Sequence, residues 1–178
     1  MFLEGKKIYL RALEVNDLNA SYLAWLNDRE VNAYNSHAIF PAGIRDLQRY
    51  YDALATDKEK VILAIIDKQT NLHIGNLSLQ NINWVYRSAE FAILLGDKSF
   101  WKKGIATEAA GLMVDYAFRR LNLHRVYCAT SSENKGMQGL AGKLKMQKEG
   151  VRRDDIYKEG SYHDIIEYGV LRDEFYSS

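Results

Sequence analysis

The chain has 178 residues, of which 47% are hydrophobic and 26% charged, which suits one folded domain of roughly 100–200 residues and excludes a disordered, collagen-like or coiled-coil chain. Lys and Arg number 24 against 23 Asp and Glu, a net charge of +1. Neither a basic arm for nucleic acid nor an acidic tail is present.

In chain order, Lys7–Leu13 (KIYLRAL) alternates and reads as a strand. Asn16 or Asp17 is placed to cap a helix that carries Leu18, Tyr22, Trp25 and Leu26 on one face. A loop rich in Asn and Tyr follows. After Pro41, Ile44, Leu47, Tyr51 and Leu54 mark a second helix. Val61–Ile66 is a short apolar run that predicts a central strand. Leu72–Asn83 and Ser88–Leu95 predict two strands joined by a turn near Trp84–Arg87. The clearest helix spans Thr107–Leu123, with Ala110, Met113, Val114, Ala117, Phe118 and Leu121 as its apolar stripe. Arg125–Thr130 is a further strand, and Asn134 caps a short helix that runs to Leu144. Gln147–Lys158 and Ser161–Leu171 form a final hairpin around Glu159-Gly160. That order predicts an α/β (α+β) fold around one sheet, with residues 1–178 forming a single domain.

No apolar run approaches the ~20 residues of a membrane-crossing helix. Met1–Lys7 lacks the apolar core of a signal peptide. One cysteine, Cys128, excludes an internal disulfide framework and cysteine-rich metal sites. The four histidines, His37, His73, His124 and His163, show no metal spacing. A reducing, cytoplasmic setting is expected, without metal, nucleic-acid or membrane partners.

The stretch that carries chemistry is Ala89–Ala110, AEFAILLGDKSFWKKGIATEAA. An apolar strand leads into a loop with Lys98, Lys102, Lys103 and Gly104, then directly into a helix. The start of a helix offers unpaired backbone N–H groups and a partial positive charge. With a glycine for close approach and lysines nearby, such a passage suits a phosphate or pyrophosphate. It contains neither GxxxxGK[ST] nor GxGxxG. A basic surface loop before a helix has the same pattern.

FWKKGIATEA resembles the acetyl-CoA pyrophosphate loop of the GNAT N-acetyltransferases, with its Q/R-x-x-G-x-G/A pattern. Within that superfamily it is similar to the ribosomal-protein acetyltransferase branch (RimJ/RimL-like), W-G-K-G-x-A/G-T-E-A. Trp101, Lys103, Gly104, Ala106, Thr107, Glu108 and Ala109 match, and LNLHRVYCATSSEN resembles the segment that follows in the same branch. The resemblance spans roughly Lys6 to Arg172. It implies one mixed, mostly antiparallel sheet of about seven strands flanked by about four helices. It also implies an enzyme that moves acetyl from acetyl-CoA to a primary amine by direct attack.

By that resemblance, the pyrophosphate is held by the backbone from Lys102 through Lys103, Gly104 and Ile105 to Ala106, bordered by Trp101 and Thr107. Ile93, Leu94 and Leu95 offer their backbone to the pantetheine arm, and Asn134 bonds that arm, although a plain helix cap explains Asn134 equally well. Glu90, eleven residues before Trp101, matches the offset of a glutamate base in histone-acetyltransferase relatives. A surface salt bridge is the competing reading of Glu90. Lys102 replaces a glycine of the pattern, which demands an ordinary backbone conformation there. Ala141 and Met137 replace the tyrosine and serine from which a general acid is expected, so no acid is assigned. Trp25–Phe40 and the final hairpin, with Tyr162, His163 and Asp164, should border the acceptor. That acceptor is a peptide N-terminal α-amine or a small amine. The alternatives are an amino sugar on a nucleotide, or no turnover at all in an acyl-CoA-binding sensor. A homodimer is left open.

Overall fold

A computed structural model of the chain describes residues 1–35 and 39–177. Its centre is an eight-stranded sheet: β1 (Leu3–Glu4), β2 (Ile8–Ala12), β3 (Val61–Asp67), β4 (His73–Asn83), β5 (Ser88–Leu95), β6 (Arg125–Ser131), β7 (Gln147–Lys158) and β8 (Ser161–Leu171). The spatial order is β1-β2-β3-β4-β5-β6-β8-β7. Every neighbouring pair is antiparallel except β5 and β6. Among the described residues five α-helices accompany it: α1 (Ala20–Asn27), α2 (Ile44–Leu54), α3 (Ile105–Arg119), α4 (Lys135–Lys143) and α5 (Arg172–Tyr176).

The expected mixed sheet is therefore present, with one strand and one helix more than the pattern implied. Both additions are too short for periodicity to show. β1 has two residues, and α5 is a five-residue turn whose Phe175 ring lies 5.6 Å from that of Phe118.

β3 explains its own position. Its run VILAIID is buried on both faces, as a central strand must be. Leu63 and Ile65 face the main core under α3, while Ala64 and Ile66 face a second core with Leu13, Tyr22, Trp25 and Leu47. α3 crosses β2, β4 and β5, and the small Ala109 and Ala110 let it approach closely. Phe118 is wholly buried, which contributes about 1.5–3 kcal/mol.

The cap of α1 differs from the expectation. Asn19 performs it, accepting from Ser21 N at 3.0 Å and Tyr22 N at 3.2 Å. Asp17 is instead buried, bonded twice to the Arg11 guanidinium at 2.6 and 2.8 Å. Burial opposes its charge, but Arg11, the Glu14 amide and His73 together hold its carboxyl below the usual range.

Candidate active site

β5 and β6 run parallel for three rungs only: Ser88 with Arg125, Ala89 with Val126 and Glu90 with Tyr127. Beyond that rung β5 continues to Leu95 and β6 to Ser131 without pairing to each other, so the sheet opens into a wedge with Glu90 and Tyr127 at its narrow end. Gly96 N–H bonds Ile74 O on β4 at 3.0 Å. By the alternation of an antiparallel ladder, Leu94 also turns its backbone to β4, while Ile93 and Leu95 turn theirs into the wedge. The Leu95 carbonyl accepts from the Trp101 indole N–H at 2.8 Å. Trp101 thus fixes the end of β5.

The wedge opens toward the loop before α3. Gly104 caps that helix with φ 81° and ψ 0°, a conformation in which glycine carries no Cβ penalty. Lys102 also has positive φ, 59°, contrary to the ordinary conformation expected of a non-glycine residue. The glycine usual at this position thus answers a real backbone demand, and Lys102 meets it under strain. Glu108 N bonds back to Gly104 O at 3.1 Å. The amides of Ile105, Ala106 and Thr107 lie one turn earlier, where the helix supplies no acceptor. The Ile105 side chain is buried in the main core, so only its backbone is available to a ligand.

The β1–β2 turn holds this loop from behind. Lys7 Nζ donates to Lys103 O at 2.9 Å, and Lys7 N donates to Glu108 Oε1 at 2.9 Å. A Cβ on Gly5 would stand 2.1 Å from Glu108 Oε1. Lys98 is committed elsewhere. Its ammonium bonds Asp28 at 2.8 Å and Glu30 at 2.9 Å, tying the loop after α1 to the end of β5. That loop is also held by Lys158 on the final hairpin, which donates to Asn32 O and Asn35 O. The two segments expected to border the acceptor are thus joined. Trp25 itself is buried, its ring edge-on to His73 at 5.1 Å. His37 lies outside the described residues.

Asn134 caps α4 by accepting from Met137 N at 3.0 Å, so the plain cap is real. Ala141 is buried against the main core. Gly136, Gly139 and Gly142 are exposed, and added Cβ atoms at Gly139 and Gly142 would meet nothing within 4 Å.

Glu90 is half-buried, and its Oε2 accepts from Asn81 Nδ2 at 2.8 Å. Asn81 sits with φ 52° where the β4–β5 register shifts. Asparagine tolerates that conformation better than most residues. Glu90 opens on a groove of about 520 Å³ lined by Arg125, Tyr127, Glu149, Arg152 and Glu167. Arg125 pairs with Glu149, and Arg152 bonds Glu167 at 2.9 Å. Glu90 is the carboxylate of this set without a cationic partner, which leaves the groove net negative. Burial, with the charges of Glu90 and Glu149, pushes the Cys128 thiol up to about 12. Cys128 is therefore an inert core residue, 3.6 Å from the Met146 sulfur. A second, largely apolar concavity of about 570 Å³ lies between α2 and the β2–β3 pair and contains none of the expected site residues. No cluster of three metal-ligating side chains occurs among the described residues. No helix among them is long and apolar enough to cross a membrane.

The acetyltransferase (GNAT) domain family matches residues 7–147. The chain belongs to the GNAT acetyltransferase family. It is therefore an enzyme, an N-acetyltransferase with acetyl-CoA as acyl donor. The spermidine N(1)-acetyltransferase of Escherichia coli is 30% identical over 170 residues, covering 94% of this chain and 88% of that protein. The putative ribosomal N-acetyltransferase YdaF of Bacillus subtilis is 34% identical over 101 residues, 57% of this chain and 55% of that one. Among solved structures, the spermidine N-acetyltransferase of Vibrio cholerae in complex with CoA and spermine superposes with a TM-score of 0.88 at 27% identity, covering 96% and 99% of the two chains.

Asn81, Lys7 and Tyr127 escaped the sequence reading. Asn81 acts through a bulge, Lys7 through a contact with a residue 96 positions away, and Tyr127 through strand register. None of these is written into local spacing.

Proposed function

We propose that this enzyme acetylates a small polycationic amine of the polyamine class, with Glu90 as the base. The observation that carries this reading is Glu90 at the narrow end of the wedge, facing a net-negative groove. Acetyl-CoA enters the wedge with its pyrophosphate on the amides from Lys102 to Ala106 and its arm along the β5 edge, at the Ile93 backbone and the Leu95 amide, the Leu95 carbonyl already accepting from Trp101. Leu94 contributes only through its side chain. Hydrogen bonds from that edge polarise the thioester carbonyl and stabilise the developing oxyanion. Asn134 retains its Nδ2 for the arm while Oδ1 caps α4, and Thr107 borders the phosphates.

An alkylamine resembling lysine, with pKa ~10.4, is neutral at pH 7 in well under one molecule per thousand. It therefore needs both a field that gathers the cation and a base that takes its proton, directly or through water. Glu90 supplies both. The spermidine acetyltransferases among the relatives, matched over nearly the whole chain, support the same acceptor class. The match to a putative ribosomal acetyltransferase favours a second reading, a peptide α-amine, for which a weaker base suffices.

Free-thiol release from acetyl-CoA with a panel of amines separates the two. Turnover is expected with spermidine and spermine, and Glu90→Gln should lower kcat by about 10²–10⁴-fold with CoA affinity retained. Turnover confined to peptide N-termini would move the enzyme to the second reading, and no thiol release with any amine would refute the reading outright.

A further inference from the structure

The wedge has a base at its narrow end, but neither position from which the family pattern draws an acid carries a proton to give. Ala141 is buried without a polar atom, and Met137 is a thioether. The rung that closes the wedge supplies a different group. Tyr127 is the direct partner of Glu90 in the β5–β6 register. Partners on adjacent strands stand about 4.8 Å apart and project to the same face. Both side chains line the same groove. We infer that the Tyr127 hydroxyl is the proton donor to the departing CoA thiolate, recharged by the proton that Glu90 takes from the amine. The inference rests on the proposed path of the pantetheine arm, which brings the thioester to this rung.

Tyr168, the other phenol bordering the groove, is the register partner of Cys128 and packs on the main core, and the remaining groups near the rung do not compete for the role. The Cys128 side chain lies in the main core, bonded to the Met146 sulfur. Arg125 is paired with Glu149, and its guanidinium lies 5.6 Å from the centre of the Tyr127 ring, a cation held against the ring face. Burial and the neighbouring Glu90 charge raise the Tyr127 phenol, while Arg125 acts the other way. Tyr127 therefore carries its proton throughout the neutral range.

The step balances. The ammonium first loses one proton, through Glu90, to bulk water; the neutral amine nitrogen then forms the new C–N bond at the thioester carbon, and Glu90 takes one further proton from that nitrogen. The tetrahedral centre collapses, the C–S bond breaks and its electron pair goes to sulfur. Sulfur takes the Tyr127 proton, and Glu90 returns its own to the phenolate. The products are the N-acetyl amine and CoA thiol, and both side chains end as they began. Because a free thiol of pKa ~8.5 leaves tolerably as an anion, the contribution belongs at the lower end for acid–base catalysis, about 10²-fold.

The test is Tyr127→Phe, which keeps the ring and removes the hydroxyl, assayed by thiol release beside calorimetric titration of CoA. The expected result is kcat lowered by about 10²-fold with the CoA dissociation constant unchanged. Tyr127→His, which restores a titratable proton, should recover part of that loss. Wild-type kcat in Tyr127→Phe would overturn the inference. So would a loss of CoA affinity as large as the loss of rate, because Tyr127 would then merely shape the wedge. Failure of the parent reading looks different: the wild-type enzyme itself would release no thiol with any amine.

Discussion

Two residues show how a single backbone or proton state bears on stability. Lys102 occupies a left-handed conformation that costs a non-glycine residue roughly 1–2 kcal/mol. Lys102→Gly should relieve that strain, less the chain entropy that glycine adds. Urea unfolding is expected to show an apo protein more stable by about 0.5–1 kcal/mol. The same substitution removes one cation beside the proposed pyrophosphate site, so CoA should bind a few-fold more weakly at low salt. His73 offers the second case. Its Nε2 is placed to donate to Gly75 O at 3.0 Å or Asn76 Oδ1 at 2.9 Å, and its Nδ1 stands 3.6 Å from Asp17 Oδ1. Burial lowers its pKa below 6.5, with Arg11 acting the same way and Asn76, Asp17 and the Gly75 carbonyl opposing. The unfolded chain therefore binds the proton more readily, and stability present above about pH 6.5 is lost as pH falls through the window below it. His73→Gln should flatten the dependence of the urea midpoint between pH 7.5 and 5, and an unchanged slope would remove His73 from that role.

At the scale of elements, α3 and its loop were legible because the WKKGIATEA spacing and the apolar stripe are both local, although the helix runs from Ile105 to Arg119 rather than Thr107 to Leu123 and leaves Leu121 outside it. β3 was legible for the same reason, since an unbroken apolar run needs no partner to be recognised. The cap of α1 was not. Asp17 has a good capping side chain, but Arg11, reached only through the fold, takes it, and Asn19 caps instead. Glu108 belongs to the loop pattern, yet its oxygen is spent on the Lys7 amide, so part of the motif builds the loop rather than touching a ligand. α4 carries three glycines, each costing about 1 kcal/mol of helix propensity, and they face outward while Leu140, Ala141 and Leu144 are buried. A nine-residue helix of this composition depends on packing for its stability. Amide exchange over residues 135–144 should be fast in the apo protein and slow markedly when CoA is bound. Equal, strong protection in both states would contradict that coupling.

For the whole molecule, the feature that organises the site is the parting of β5 from β6 after three rungs. It brings together the α3 amides, the free β5 edge and the Glu90–Tyr127 rung, which lie on separate elements. Apart from the two-residue β1, the strands were legible in the sequence to within a residue or so at each end. The use of the Ile93–Leu95 backbone by the pantetheine arm was implied by resemblance alone, because strand parting leaves no periodic signature. If this wedge and the loop beneath it bind CoA, calorimetric titration of CoA into the wild-type protein and Gly104→Val shows it most directly. A valine at φ 81° is strained and puts a branched side chain where the proposed pyrophosphate would meet backbone. Saturable binding by the wild type, weakened at least tenfold in a folded Gly104→Val, is the result expected. No binding by the wild type at millimolar CoA, or equal binding by both proteins, would contradict the account.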